Sequence, residues 1–476
     1  MATYTVPLLI GGKETVTPVT FDVHNPATSA LLWRCSSASV DDAAAAVSSA
    51  QAAFPAWSKT RPPKKRDILL RAADILDKRA DELGGYMIDE TASPPPFAQG
   101  FNVPMMTEIL RDVAGRISGI MGALPQCAEE GTSALVLKEP YGVILGIAPW
   151  NAPYILGLRA VCFALAAGNT CVLKGSELSP RCFWAIGSAL TEAGLPDGCL
   201  NVIYHRPQDA AAVTTALIEN PSVKKINFTG STNVGRIIAS TAGKNLKPVL
   251  MELGGKASAI VLDDADLSTA GFQCALGAFL HSGQICMSTE RILVHKKVLN
   301  EFRPILQDAI KTVFPANGPS PILITSAGAS KNVSLVSSAV SSGANLLHGT
   351  PQIEKESNNR LRPIVVENVT PEMELYRTES FGPSVSLIPV EDEDEAIRIA
   401  NDTEYGLSGA VFTKDLARAL RVAKEIESGA IHINSMSVHD EAALPHGGVK
   451  MSGWGRFNGN WGLEEFLRLK TITFKE

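Results

Sequence analysis

Between residues 141 and 266 short apolar runs succeed one another: YGVILGIAPW, TCVLKGSE, CLNVIYHR, KKINFTG, PVLMELGG and SAIVLDDAD. Helical stretches separate them. Strand, helix and strand at this spacing imply a parallel sheet, because parallel neighbours need a crossover and the crossover is right-handed. A second series follows: RILVHKK, RPIVVEN, VSLIPVED, GAVFTKD and GAIHINS. Two α/β series predict two domains of similar type with a boundary near residue 253. Another break is expected between 430 and 460, where Gly and Asn cluster in HGGVKMSGWGRFNGNWG. Before the first series, residues 40 to 57 and 65 to 83 read as helices; Leu69, Ala72, Ala73 and Leu76 form an apolar stripe in the latter. The acidic run Glu391–Glu395 reads as a helix start, where negative charge meets the positive end of the helix dipole.

The chain has 476 residues, of which 45% are hydrophobic, enough to fill more than one core. The net charge of -6, with both signs interspersed, argues against a nucleic-acid partner, which calls for a basic stripe. None of the eight cysteines forms a C-x-x-C pair, which argues against a zinc or other metal site. Several sit in apolar runs, as free thiols do in a reducing compartment. The N-terminus resembles neither a signal nor a transit peptide, and no apolar run reaches the length needed to span a bilayer. The expectation is a cytoplasmic protein without a membrane partner. TSALVLKEP (132 to 140) and the C-terminal LRLKTITFKE alternate like exposed strands, either as a local hairpin or as an arm that pairs with another copy.

Five stretches carry candidate chemistry. FLHSGQICMSTERILVH sets Cys286 between a Gly turn and an apolar strand, as a buried side chain or a nucleophile. MELGGKAS puts Glu252 in an apolar setting, where its pKa should be raised to suit a general base, although a structural Lys–Glu pair fits the same residues. APWNAPY stiffens the backbone around Asn151 with prolines, fixing either a turn or an amide for an oxyanion. KKINFTGSTNVGR is strand, Gly turn and helix, a geometry that offers backbone N–H groups to a phosphate. In VLKGSELSP a carboxylate at a strand end can grip a ribose 2′-hydroxyl, or Ser176 can simply cap a helix beside solvated Lys174 and Glu177.

APWNAPY, FTGSTNVGR, MELGGK, GQICMS, ESFGP and GGVKMSGWGR occur in this order, and with them the chain resembles the aldehyde dehydrogenase superfamily over practically its whole length. The resemblance implies a Rossmann-like NAD-binding domain (1–120 and 141–252), an α/β catalytic domain (253–445) and a β-arm (121–140 and 460–476) that builds a homodimer or homotetramer. It makes Cys286 the nucleophile that forms a thiohemiacetal and then a thioester, Asn151 with the Cys286 N–H the oxyanion donors, and Glu252 the base for hydrolysis. It assigns Lys174 and Glu177 to the adenosine ribose, favouring NAD over NADP, and Ser231 to the pyrophosphate. Glu379 and Phe381 go to the nicotinamide ribose and ring. Ala148, Pro149, Trp150, Ser176, Phe228, Gly230, Val234, Leu253 and Gly254 complete the implied cofactor site.

GQICMSTER, NAPYILGLRA and ELYRTESFGP further resemble the branch of salicylaldehyde, benzaldehyde and vanillin dehydrogenases. That likeness implies an aromatic aldehyde and puts Tyr154, Arg159, Met287 and His446 at the substrate entrance; Arg159 fits a structural ion pair equally well. Succinic-semialdehyde or broad aliphatic oxidation, CoA acylation, and a non-catalytic protein on the same fold are the competing readings. The chain departs from the family pattern at Arg206-Pro207-Gln208-Asp209, in DETASPPPF, in 314 to 328, and at His446, where Phe is common.

Overall fold

The computed structural model describes residues 4–315 and 317–475, so the expected domain range opening at residue 1 and the arm closing at 476 begin and end outside the described residues. One eight-stranded sheet has at its centre Val249–Glu252, Val223–Thr229, Val143–Ile147, Thr170–Lys174 and Leu200–Ile203, all parallel, in that spatial order. Numbered along the chain, Val143–Ile147 is first and its two neighbours are second and fourth. The order therefore reverses beside it, and a crevice opens at the carboxyl ends of Val143–Ile147 and Val223–Thr229 where ligands of such sheets bind. Leu8–Ile10, Lys13–Thr15 and Gly453–Trp454 add antiparallel edges. The central strands are buried on both faces, which is why they read as continuous apolar runs and not as alternating ones.

The chain changes sheet between Glu252 and Ala257. A seven-stranded sheet follows, ordered Asn345–His348, Ile364–Glu367, Ser384–Val390, Thr289–His295, Ala257–Val261, Ser408–Phe412 and Ala430–Ile433; every pair but the first is parallel. The carboxyl end of Val249–Glu252 thus meets the amino end of Thr289–His295, and this junction carries Glu252 and Cys286.

The sequence signals act locally. Ser39 accepts from the Asp42 N–H while Asp42 accepts from the Ser39 N–H, a reciprocal cap that starts the helix Val40–Ser58. Asp392 caps Glu393–Asn401 by accepting from the Glu395 N–H, as the acidic run implied. The helix expected over 65 to 83 is two helices, Pro62–Lys78 and Ala80–Thr91. The break is at Arg79, whose guanidinium turns to Glu82 in the next helix. Ala92 ends that second helix with φ 53, a left-handed conformation usually left to Gly, and the three prolines follow. Thr132–Pro140 and Leu467–Lys475 pair antiparallel along their whole length. The helix Gly459–Glu464 overlaps the start of the range 460–476 expected for the arm. Among the described residues no helix is long and apolar enough to cross a membrane.

Candidate active site

A cleft of about 290 Å³ lies at the crevice where the strand order reverses. Its walls come from Pro149, Trp150 and Asn151 after the first strand, from Thr229 at the end of the fourth with Gly230 and Ser231 after it, and from Glu252 at the end of the fifth with Leu253 and Gly254 after it. Cys286, Glu379 and Phe381 close it from the other sheet.

Cys286 follows a strained turn. His281 and Ser282 both have positive φ, 48° and 59°, which costs on the order of 1 kcal/mol or more for each side chain. The surroundings hold it there. The His281 ring stacks on Phe97 with centroids 4.9 Å apart, and the Ser282 hydroxyl donates to the Ile322 carbonyl at 2.9 Å. Gln284 accepts from the Ile324 N–H at 2.9 Å, and its own carbonyl accepts from Asn151 Nδ2 at 3.0 Å. The Asn151 amide is therefore tied directly to the turn that leads into Cys286.

The Cys286 thiol donates to Glu252 Oε1 at 3.0 Å. Burial, then the charge and hydrogen bond of Glu252, push the thiol well above its ordinary range, so it rests protonated with a base in contact. Glu252 is fully buried. The raised pKa expected for it is corrected here. Burial does push it up, but His446, the Cys286 hydrogen bond and Arg159 outweigh burial and hold the carboxyl below its usual value. Gly255 is required by contact: a Cβ there would stand 2.3 Å from the Cys286 carbonyl oxygen.

The Glu379 and Phe381 loop is fixed from behind. Lys256 and Glu290 form a buried ion pair at 2.6 Å, and Glu290 accepts from the N–H groups of Ser380 and Phe381. Glu379 Oε1 accepts from the Gly255 N–H at 2.8 Å. Burial, then Glu290, raise the Glu379 carboxyl to about 7. The Phe381 ring stands edge-on to Trp150 with centroids 6.0 Å apart.

The other implied cofactor residues lie around this cleft. Ser231 caps the helix Thr232–Lys244, accepting from the Val234 N–H at 3.4 Å, and Val234 is exposed on its first turn. The Phe228 ring leaves room only for Gly at 230, since a Cβ there would be 2.5 Å from it. Ala148 donates its N–H to the Lys174 carbonyl, so Lys174, Ser176 and Glu177 sit one strand away from the cleft wall. Ser176 Oγ accepts from the Leu178 N–H, and Lys174 lies 4.0 Å from Glu177. At the departure, Arg206 and Asp209 pair at 2.7 Å and close a short 3₁₀ turn, Pro207–Asp209.

Of the entrance residues, Tyr154 is corrected. Its ring is fully buried and its hydroxyl donates to the Leu83 carbonyl, inside the core. Arg159 is the ion-pair partner of Asp440, both out of water. Met287 and His446 line a second, smaller cavity together with His432, His439, Asp440 and Glu441. Sequence reasoning missed Leu156, Thr229 and Lys331 in the cleft, and missed Gln284 and Asp440 beside it. Leu156 was within reach, in the first turn of the helix that follows Asn151 in NAPYILGLRA; Lys331, in the helix Ser326–Ser341, carries no local pattern that marks it.

A thiol on a base, a tethered amide and a helix N-terminus beside a glycine turn together suit acyl chemistry at Cys286 next to a phosphate-bearing cofactor. The sequence profile of the Aldehyde dehydrogenase family matches residues 14–472. A vanillin dehydrogenase of Pseudomonas fluorescens is 44% identical, over 99% of this chain and 98% of its own. The crystal structure of a salicylaldehyde dehydrogenase from Pseudomonas putida G7, complexed with salicylaldehyde, matches with a TM-score of 0.95 at 36% identity, covering 99% of this chain and 98% of that one. An NADP-dependent enzyme of E. coli matches with a TM-score of 0.95 at 30% identity and the same coverage. The chain belongs to the aldehyde dehydrogenase family.

Proposed function

We propose that this protein oxidises an aromatic aldehyde of the benzaldehyde, salicylaldehyde or vanillin kind to the carboxylic acid, with NAD as the cofactor. The observation that carries the chemistry is the 3.0 Å contact between the Cys286 thiol and Glu252 at the crevice of the first sheet. The aromatic substrate rests on the relatives named above.

The proposed cycle follows from these groups. Glu252 takes the thiol proton, and the Cys286 thiolate adds to the aldehyde carbon. The Asn151 amide and the Cys286 N–H stabilise the oxyanion of the resulting thiohemiacetal. What supports a dinucleotide there is that Gly230 and Ser231, the turn and cap at the start of the helix Thr232–Lys244, line the cleft, where backbone N–H groups can meet a phosphate. A nicotinamide bound there supplies the hydride acceptor. Trp150 and Phe381 would hold its ring, Glu379 its ribose, and Lys174 with Glu177 the adenosine ribose. With the hydride lost, Cys286 carries a thioester; Glu252, once it has released the thiol proton to solvent, takes a proton from the water that attacks the thioester carbon, and the Cys286 thiolate leaves as the acid forms.

On the His446 side the charge of Arg159 is met by Asp440, so it is not free to take a carboxylate tail. That favours an uncharged ring over succinic semialdehyde. The exposed apolar residues of the paired arm, Leu137, Leu469, Ile472 and Phe474, favour a homo-oligomer built through it. The test is kcat/KM with NAD for benzaldehyde, salicylaldehyde, vanillin, succinic semialdehyde and hexanal. The aromatic substrates are expected to lead by roughly tenfold or more, a difference of about 1.4 kcal/mol in the transition state. An equal lead for either aliphatic substrate removes the aromatic assignment.

A further inference from the structure

The side of Glu252 away from the cleft holds a chain of buried polar groups. His446 Nε2 lies 3.6 Å from Glu252 Oε1, the same oxygen that accepts from the Cys286 thiol. His446 Nδ1 lies 3.8 Å from Asp440 Oδ1. Asp440 is in turn held by the Arg159 guanidinium and by Asn458 Nδ2, the latter at 3.0 Å. The backbone of His446 is fixed as well, since it exchanges both N–H and carbonyl hydrogen bonds with Phe457, at 3.0 and 2.8 Å. The Phe457 ring packs under Arg159. The backbone position of His446 is therefore fixed, and its buried ring lies between the two carboxylates.

We propose that His446, backed by Asp440, is a positioning residue for Glu252, keeping that carboxylate turned towards Cys286 while the thioester is hydrolysed. This rests on the reading of Glu252 as the hydrolytic base. The contact is longer than a hydrogen bond in this structure, as catalytic contacts often are before substrate binds. Both groups are out of water and short of partners: His446 Nε2 and Glu252 Oε2 are among the buried atoms without a hydrogen bond, so a small turn of the carboxylate would bring the ring nitrogen onto it. The charged and titratable groups facing the pair are Cys286 and Arg159 towards Glu252, and Asp440 and His432 towards His446, with His439 and Glu441 beyond.

The sign of the effect follows. A donor or positive ring beside a carboxylate favours its ionised form, so removing it makes Glu252 harder to ionise and moves the acid limb of kcat to higher pH. The experiment compares the parent with His446→Phe, the residue common in the family, with His446→Met as a second apolar variant, and with His446→Gln, which keeps a donor. In the apolar variants kcat for benzaldehyde should fall roughly tenfold with KM little changed. The acid limb should rise by about one pH unit, and the acyl-enzyme should accumulate as a mass increase on Cys286. His446→Gln should recover part of both losses.

Unchanged kcat and acid limb in a folded apolar variant overturn the proposal. So does a change confined to KM, which marks a ring that only lines the substrate path. So do equal losses in all three variants with the limb in place, which mark packing alone. Alkylation of Cys286 by iodoacetamide at pH 7 gives a readout that needs no aldehyde. With His446 gone, the less compensated charge of Glu252 should hold the thiol protonated and slow the reaction; equal rates also overturn the proposal. A parent that alkylates as expected but oxidises none of the aldehydes refutes the proposed function and leaves this arm to decide the role of His446.

Discussion

The two sides of Cys286 are built from different material. Towards the cleft, contact is made by backbone and glycine. Gly254 and Gly255 bring one loop against the nucleophile turn and the Glu379 carboxylate, Gly230 bares the opposite turn, and Asn151 is tethered through a main-chain carbonyl. Towards His446, contact is made by ionisable side chains packed out of water: Arg159, Asp440 and His446 itself. The first side presents fixed dipoles and close approach, as suits a large ligand laid along it. The second presents charges that answer one another, and its arrangement depends on each partner being present. A change on the second side should therefore spread through its neighbours, whereas one on the first should act where it is made.

The largest effect is expected from Arg159→Met. Asp440 would stay buried with Asn458 and the His446 ring but without its counter-charge, and breaking such a pair costs about 3 kcal/mol. Denaturant unfolding should register the loss. Adding Asp440→Leu should restore most of it, because an apolar pair of similar volume replaces a satisfied ionic one at little cost. If Arg159→Met loses no more than an exposed substitution does, the distinction between the two sides fails.

The same distinction decides what the sequence disclosed. Cleft residues arrive in contiguous stretches, APWN, FTGS, MELGG and ESFG, because a strand end followed by a turn delivers its neighbours to one place. The strand runs also fixed the sheets, since strands covered on both faces must be apolar throughout. The charged side draws on partners far apart in the chain. Arg159 and Asp440 are 281 residues apart, and nothing local around Asp440 announces the pairing. Tyr154 misled for the related reason that a helix buried on every face, Pro153–Ala167, gives no stripe from which to tell a cavity wall from core. Likewise the lowered pKa of Glu252 could not be read from MELGG, because the His446 that opposes burial comes from the Gly-rich segment near the other end of the chain.

Gly255→Ala sharpens the comparison from the cleft side. The added methyl would meet the Cys286 carbonyl oxygen at 2.3 Å, a backbone atom that cannot turn aside. Overpacking of this kind costs about 1–3 kcal/mol, and the displaced turn carries Cys286, the proposed nucleophile. Turnover should fall by a hundredfold or more, in keeping with the sensitivity of catalysis to shifts of about 1 Å. Unfolding should move less than in Arg159→Met. A variant that unfolds more easily than Arg159→Met while still turning over at the parent rate would invert the proposed contrast.

The smallest effect is expected from Glu177→Gln, one strand away from the cleft wall. Glu177 is partly exposed and stands 4.0 Å from Lys174, a lysine whose own pKa is lowered by burial. On the proposed assignment to the adenosine ribose, a carboxylate there would accept from a 2′-hydroxyl and repel a 2′-phosphate. Between partly hydrated charges a few ångströms apart that repulsion is worth on the order of 1 kcal/mol. The variant should therefore raise kcat/KM for NADP relative to NAD severalfold, through KM more than kcat, because the ribose is remote from the bond that changes. Added salt should shrink the parent's preference, since solvent reaches Glu177 and screens it. It should leave the variant's preference nearly unchanged, the charge being gone. A cofactor ratio that ignores both the substitution and the salt would mean that Glu177 only pairs with Lys174, and that the choice of cofactor is made by other contacts along the cleft.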